Sequence, residues 1–265
     1  MNIGFIGAGN MASALAGGLI ASEFVRADEI AISDKNFSAL KKWQTEGVFV
    51  TENNSEVFEN SEVVVFAVKP NVLPAVLEEA KAYTEGKIFI SIAAGVTIDT
   101  IQSILGEKAK LVRAMPNTPA KVNCGMTVIT PNKNISEAEL EMARHLLSAV
   151  GEVVVLEEKY INAATALHGS SPAYVYMLID AMADCGVKYG IPKDVALTLA
   201  AKAVEGSAKM VLESKEHPQQ LKDAVCSPGG TTIAAVFALE EKGFKTAVEK
   251  AIDACVEKAD EMSKK

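Results

Sequence analysis

The stretch "NIGFIGAGNMASALAGGLIAS", residues 2–22, constrains the fold more than any other part of the chain. Its apolar opening, Ile3 to Ile6, reads as a strand. The continuation from Asn10 carries Ala, Leu and Ile at helical spacing. Between them Gly7, Gly9 and Ala12 fit the spacing G-x-G-x-x-G/A. Glycine at 7 permits a tight turn, glycine at 9 lets the backbone approach a pyrophosphate, and small Ala12 lets the helix lie close on the strand. The helix start then offers unbonded N–H groups and a positive dipole end to an anion. A lone glycine turn is common. Set between a strand and a helix, and followed by further strand candidates, it indicates dinucleotide binding.

The alternation continues through the first half. "EIAIS" and "GVFV" (47–50) are strand-like, and "EVVVFAV" (62–68) and "KIFISIAA" (87–94) are dense enough in β-branched and apolar residues for buried parallel strands. "AKLVRAM" (109–115), "GMTVIT" and "GEVVVLE" add three more, with a helix between the last two that opens on a capping box, Ser136 with Glu139. After Glu157 the strands stop. A helix is expected from Ser171 as cap and Pro172 in the first turn, then one from near Pro192, a short "PQQLKDAV", and a last one from Thr231 broken at Gly243. The reading is an α/β Rossmann domain with a mostly parallel sheet over 1–158, followed by an all-α domain over 159–265.

Composition narrows the partners. A net charge of −8 argues against nucleic acid, whose phosphates need a basic face. The four cysteines, at 124, 185, 226 and 255, have neither metal-clip nor disulfide-framework spacing, and are read as small core residues of a protein in a reducing compartment. The three histidines, His145, His168 and His217, lie far apart, so no metal site is expected. Residues 1–22 are uncharged, but five glycines with Asn2, Asn10 and Ser13 make a poor membrane span, and no basic leader precedes them. A cytoplasmic protein with no membrane partner is the expectation.

Other strand ends carry candidate residues. Asp34 follows the second strand, where an acid can bond a ribose 2′-hydroxyl and disfavour a 2′-phosphate, while Lys35 beside it can do the opposite. "AVKPN" (67–71), "AAG" (93–95) and "MPNTP" (115–119) close three further strands on the edge where open α/β sheets bind ligands. In the helical half, "CSPGGTT" (226–232) interrupts an Ala-rich sequence. As structure alone it is a Ser-Pro turn with Thr231 as helix cap. His168 and His217 read as packing or turn residues, and Cys226 as a packed thiol with no paired base.

Together "GFIGAGNM", "FAVKP", "SIAAGV", "RAMPNTP", "GSSPAY" and "QLKDAVCSPGGTTIAAVFALE" resemble the pyrroline-5-carboxylate reductase family, in the family's order and across essentially the whole chain. The resemblance implies reduction of the C=N bond of 1-pyrroline-5-carboxylate to L-proline, with NADP(H) as cofactor and NAD(H) also in use. It implies that Ile6, Gly7, Ala8, Gly9, Asn10 and Met11 line the pyrophosphate, and that Ser33, Asp34, Lys35 and Asn54 lie at the adenosine ribose. Ala67, Lys69, Pro70 and Ala93 would sit beside the nicotinamide half. Ser227, Gly230, Thr231 and Thr232 would hold the substrate. Asp34 and Lys35 depart from the neutral or basic pair of some members, which leaves the choice between NADH and NADPH open.

A protonated cyclic imine needs no strong acid from the enzyme, which suits a sequence without an obvious catalytic His or acid pair. The ring must be positioned and its carboxylate held. The helix start after Gly229 and Gly230 can cradle the anion, and the Thr232 hydroxyl can bond the ring nitrogen as the catalytic contact. Two rivals stand beside this reading. A β-hydroxyacid type of dehydrogenase wants a lysine acid, yet Lys188, Lys202 and Lys209 have no motif around them, and a nucleotide-sensing regulator has no use for "SPGGTT". The Ala-, Val- and Leu-rich helices beyond 160 cannot all bury their apolar faces within one chain, so an obligate homodimer is expected, able to serve as the unit of a larger ring.

Overall fold

The computed structural model describes residues 1–263. In chain order the first part contains β1 (Ile3–Ile6), α1 (Asn10–Ala21), β2 (Ile30–Ser33), α2 (Phe37–Thr45), β3 (Phe49–Thr51), α3 (Asn54–Asn60), β4 (Val63–Phe66), α4 (Leu73–Ala80), β5 (Ile88–Ser91), α5 (Ile98–Leu105), β6 (Lys110–Met115), β7 (Gly125–Pro131), α6 (Glu137–Ser148) and β8 (Gly151–Val155). A short α7 (Ile161–Ala164) runs into a π turn, Thr165–Gly169. The helical part contains α8 (Ser171–Lys188), α9 (Lys193–Ser214), α10 (Pro218–Val225), α11 (Thr231–Glu241) and α12 (Phe244–Ser263).

The eight strands form one sheet in the order β3-β2-β1-β4-β5-β6-β7-β8. All neighbours are parallel except β6 and β7. That reversal has a covalent cause: only a short 3-10 turn, Thr118–Val122, separates β6 from β7, too little chain for a crossover helix. The central strands are buried on both faces, and their side chains alternate accordingly. Val63 and Val65 pack with Leu15, Leu19, Trp43 and Leu147, whereas Val64 and Phe66 pack with Phe58, Leu77 and Ile101 on the opposite face. Each such side chain contributes about 1.5–3 kcal/mol by leaving water. The capping box of Ser136 and Glu139 is present at α6, its carboxylate also bonded to Lys110, and the Glu139 carboxyl is held below its usual range chiefly by that Lys110 contact.

The chain divides into two compact units, 1–169 with 256–263 and a helical unit 170–255. The sequence division at 158/159 marks the end of the sheet. Residues 159–169 nonetheless group with the sheet, because Ile161 and Ala164 bury against Val128 and His168 bonds the end of β6. The end of α12 groups with them through Asn162, whose Nδ2 donates to Asp260 Oδ1 at 2.8 Å.

Within the helical unit α8 and α9 pack on each other through small residues, with Gly186 against Ala196, and Lys193 bridges Asp180 and Asp184. Ala183, Ala196 and Ala200 are the only buried residues between 170 and 255, and Met177, Tyr189, Leu212 and Phe237 are more than half exposed in the isolated chain. The cysteines do not behave as core residues: Cys124 and Cys185 are exposed and the other two half-buried, since each sits on a loop or helix face with no core behind it. The cap of α8 is Ser170, one residue before the Ser171 expected, which leaves Ser171 and Pro172 in the first turn.

Candidate active site

The sheet order reverses between β1 and β4, the switch point at which open α/β sheets leave a crevice beyond their strand ends. A pocket of about 470 Å³ lies there. Its walls come from the turn after β1 (Ile6, Gly7, Gly9), the end of β2 (Ser33, Asp34, Lys35), the start of α3 (Asn54), the end of β4 (Ala67, Val68, Lys69) and α4 (Val72, Ala75, Val76, Glu79).

The glycine turn has the geometry its residues require. Gly7 adopts φ +103°, and a Cβ there would lie 2.8 Å from the Ala67 carbonyl oxygen, so side-chain-free backbone is needed twice over. Gly9 caps α1 with no side-chain bond, and a Cβ on it would meet nothing within 4 Å. Nothing in the protein therefore demands glycine at 9, whereas open space before the uncapped N–H groups of a twelve-residue helix fits a phosphate. Ala8 is buried. Asn10, exposed, and Met11, half-buried against the core, start α1 but do not line the pocket.

At the end of β2 the Asp34 carboxylate is bound on both oxygens. Oδ2 accepts from the Ala8 N–H at 2.7 Å and Oδ1 from the Asn36 N–H at 2.8 Å. Lys35 donates to the Glu52 carbonyl at 3.3 Å. Fully buried Ser33 donates to Asn54 Oδ1 at 2.7 Å, and Asn54 Nδ2 donates to Glu79 Oε2 at 2.7 Å. The residues expected at a ribose thus share one wall.

On the opposite wall Ala67 and Lys69 line the pocket, and Lys69 is exposed with no ion pair among the described residues. Pro70 and Ala93 do not line it. Pro70 turns to a neighbouring hollow with Ala94 and Gly95, and Ala93, 3% exposed, belongs to the core with Ile98 and Phe89.

Ser227, Gly230, Thr231 and Thr232 all lie in the helical unit, and none lines this pocket. Gly229 has φ +69°, and Gly230 N–H donates to the Ser227 carbonyl at 3.0 Å, closing the turn. Gly230, not Thr231, caps α11, and without a side-chain bond, so Thr231 and Thr232 begin the helix with free backbone N–H groups beside two hydroxyls. A Cβ on Gly230 would lie 2.4 Å from Ser227 Oγ, which couples that glycine to the serine hydroxyl.

Three features escaped the sequence reading. Glu79, on which no sequence motif bears, lines the pocket from α4. His168, read as a loop or packing residue, bonds through Nε2 to the Met115 carbonyl at 2.8 Å, while Asn117 Nδ2 donates to the His168 carbonyl at 2.9 Å, tying the "MPNTP" segment to the π turn. Buried Arg113 donates to Glu158 Oε1 at 2.8 Å, which also accepts from the Ile98 N–H and so caps α5. His217, a turn residue as expected, caps α10 by accepting from the Gln219 N–H at 3.2 Å.

Sheet order, glycine turn and switch-point pocket define a Rossmann-type nucleotide-binding protein carrying a helical domain. Residues 158–262 match the family model described as pyrroline-5-carboxylate reductase dimerisation, and residues 2–95 the one described as NADP oxidoreductase, coenzyme F420-dependent. The chain is 46% identical over 264 residues to the pyrroline-5-carboxylate reductase of Escherichia coli K12, covering 99% of this chain and 98% of that one. A solved pyrroline-5-carboxylate reductase from Coxiella burnetii superposes with TM-score 0.93 at 36% identity, over 100% and 99% of the two chains. The Plasmodium falciparum pyrroline carboxylate reductase, solved with NADP bound, gives 0.90 at 32%, over 99% and 98%. The chain belongs to the pyrroline-5-carboxylate reductase family.

Proposed function

We propose that this protein reduces the C=N bond of 1-pyrroline-5-carboxylate to give L-proline, using NADP(H) and accepting NAD(H). The observation that carries the reading is the switch-point pocket, whose glycine turn is open in front of Gly9, in a chain of this family. The lining fits a dinucleotide: uncapped helix N–H groups for a pyrophosphate, and for a ribose the Asp34 carboxylate on the wall that Ser33 and Asn54 complete. When bound, the reduced nicotinamide supplies the hydride that the imine carbon accepts.

The rest of the work is positioning. Ile6, Gly7, Ala8, Gly9, Asn10 and Met11 hold the pyrophosphate end, and Ala67 and Lys69 bound the nicotinamide end, with Pro70 and Ala93 supporting that wall from behind. Ser227, Gly230, Thr231 and Thr232 bind the substrate: the α11 N–H groups take its carboxylate and the Thr232 hydroxyl bonds the ring nitrogen.

The helical segment from 159 onward acts as the dimerisation region, which supports a homodimer and, through it, any larger ring. With three buried alanines as its whole core, the unit 170–255 needs a partner to cover its apolar faces. Among the described residues no helix is long and apolar enough to cross a membrane. A cytoplasmic location is part of the proposal, on the family resemblance.

The test adds 1-pyrroline-5-carboxylate, or a 3-hydroxy acid, to the purified protein with NADPH, NADH or their oxidised forms. Oxidation of the reduced nucleotide on adding the cyclic imine, with no turnover of the hydroxy acid, is expected. Turnover of the hydroxy acid alone contradicts the reading.

A further inference from the structure

Of the charged side chains lining the nucleotide pocket, Glu79 is the one no family motif accounts for. Asp34 has both oxygens engaged by backbone N–H groups and Lys35 is drawn to the Glu52 carbonyl. Lys69 lies on the β4 side. Glu79 sits on α4 facing the same space, with Oε2 bonded to Asn54 and Oε1 without a partner among the described residues.

Its carboxylate is held from below. Ser33, with no exposed surface, donates its hydroxyl hydrogen to Asn54 Oδ1 at 2.7 Å, and the NH2 group of that amide faces Glu79. An ionised carboxylate only accepts, so Glu79 sets the polarity of the amide of Asn54, itself nine-tenths buried, and the Ser33 hydroxyl completes the chain from below. A flexible surface glutamate pays rotamer entropy to stay in one place. Here a buried hydroxyl and a buried amide restrain it, as a binding wall needs and a solubilising charge does not.

What such a wall reads follows from its chemistry. A fixed acceptor with a free oxygen welcomes a hydroxyl hydrogen and repels a phosphate dianion. We infer that Glu79 is a specificity-determining residue of the nucleotide pocket, presenting a restrained carboxylate that favours a ribose hydroxyl over a ribose 2′-phosphate. The inference rests on the dinucleotide reading of this pocket and deepens it. Glu79 is then what keeps the unphosphorylated nucleotide competitive with NADP(H).

The test is direct nucleotide binding, followed by nucleotide fluorescence without substrate, for the wild type, Glu79→Gln and Glu79→Lys. Glu79 is exposed, so both variants fold, which a thermal melt verifies. The ratio Kd(NADH)/Kd(NADPH) rises about fivefold in Glu79→Gln and further in Glu79→Lys, because a neutral and then a positive wall successively removes repulsion. A residue that only braced α4 would change both affinities together and leave the ratio still. Ratios within twofold of wild type in both variants, or a shift towards NADH, overturn the inference. If wild type binds neither nucleotide, the dinucleotide reading itself fails, a result separate from an unmoved ratio.

Discussion

The Asp34 carboxylate accepts the backbone N–H of Ala8 at 2.7 Å, joining the end of β2 to the middle of the glycine turn 26 residues earlier. The acid proposed to meet the ribose is therefore also a strut for the glycine turn. Asp34→Ala leaves the Ala8 and Asn36 N–H groups to water and weakens NADH and NADPH binding alike, by roughly 5- to 30-fold. Asp34→Asn keeps one of the two acceptors and removes the charge, so the ratio of kcat/KM for NADPH over NADH rises. An unchanged ratio would show that Asp34 serves the turn and not the ribose.

Gly7 and Gly9 should separate stability from binding. Gly7→Ala forces a side chain into φ +103° and against the Ala67 carbonyl, and costs on the order of 1–3 kcal/mol or more of folding stability. Gly9→Ala meets nothing in the protein and leaves the melting temperature nearly unmoved, yet its methyl fills the open space and weakens nucleotide binding at least about tenfold. Melting curves with and without nucleotide read both effects. Wild-type nucleotide affinity in Gly9→Ala would place the phosphate elsewhere.

At the head of α11, Thr232→Val keeps the shape and removes only the hydroxyl. A hydrogen bond to a charged group is worth roughly 1.5–3 kcal/mol, so kcat/KM for the imine falls about 10- to 150-fold while nucleotide affinity holds. Gly230→Ala raises KM, because its methyl would lie 2.4 Å from Ser227 Oγ and must turn that hydroxyl away. Near-wild-type turnover in Thr232→Val would reduce the threonine to a helix-start residue and make Ser227 the next candidate.

The helical unit predicts its own assembly. Light scattering at micromolar concentration is expected to give a dimer or a multiple of one, because the faces bearing Met177, Leu212 and Phe237 have no cover in a single chain. A stable monomer would contradict this.

Much of this was legible in the sequence, for identifiable reasons. The unbroken apolar run in "EVVVFAV" and helical spacing around it follow from a sheet covered on both faces, and the glycine turn needs only local geometry. What stayed hidden depends on contacts between distant residues. Glu79 is indistinguishable from Glu78 in "VLEEA" until α4 is placed beside α3, and the Asp34–Ala8 bond joins two loops. Ala93 ends a strand on the correct edge of the sheet, but its side chain faces the core, a choice that strand register makes and composition does not. The helical half read as helices, as it is. Its excess of apolar residues already implied uncovered faces, and the packing shows how far this goes, with three alanines as the only buried residues between 170 and 255.

The stoichiometry of imine reduction decides what this protein does. With NADPH and 1-pyrroline-5-carboxylate, the protein should form one L-proline for each nucleotide oxidised, and the Thr232→Val variant should lower both rates together. Nucleotide oxidation without proline, or proline-independent oxidation unaffected by the imine, would contradict the account.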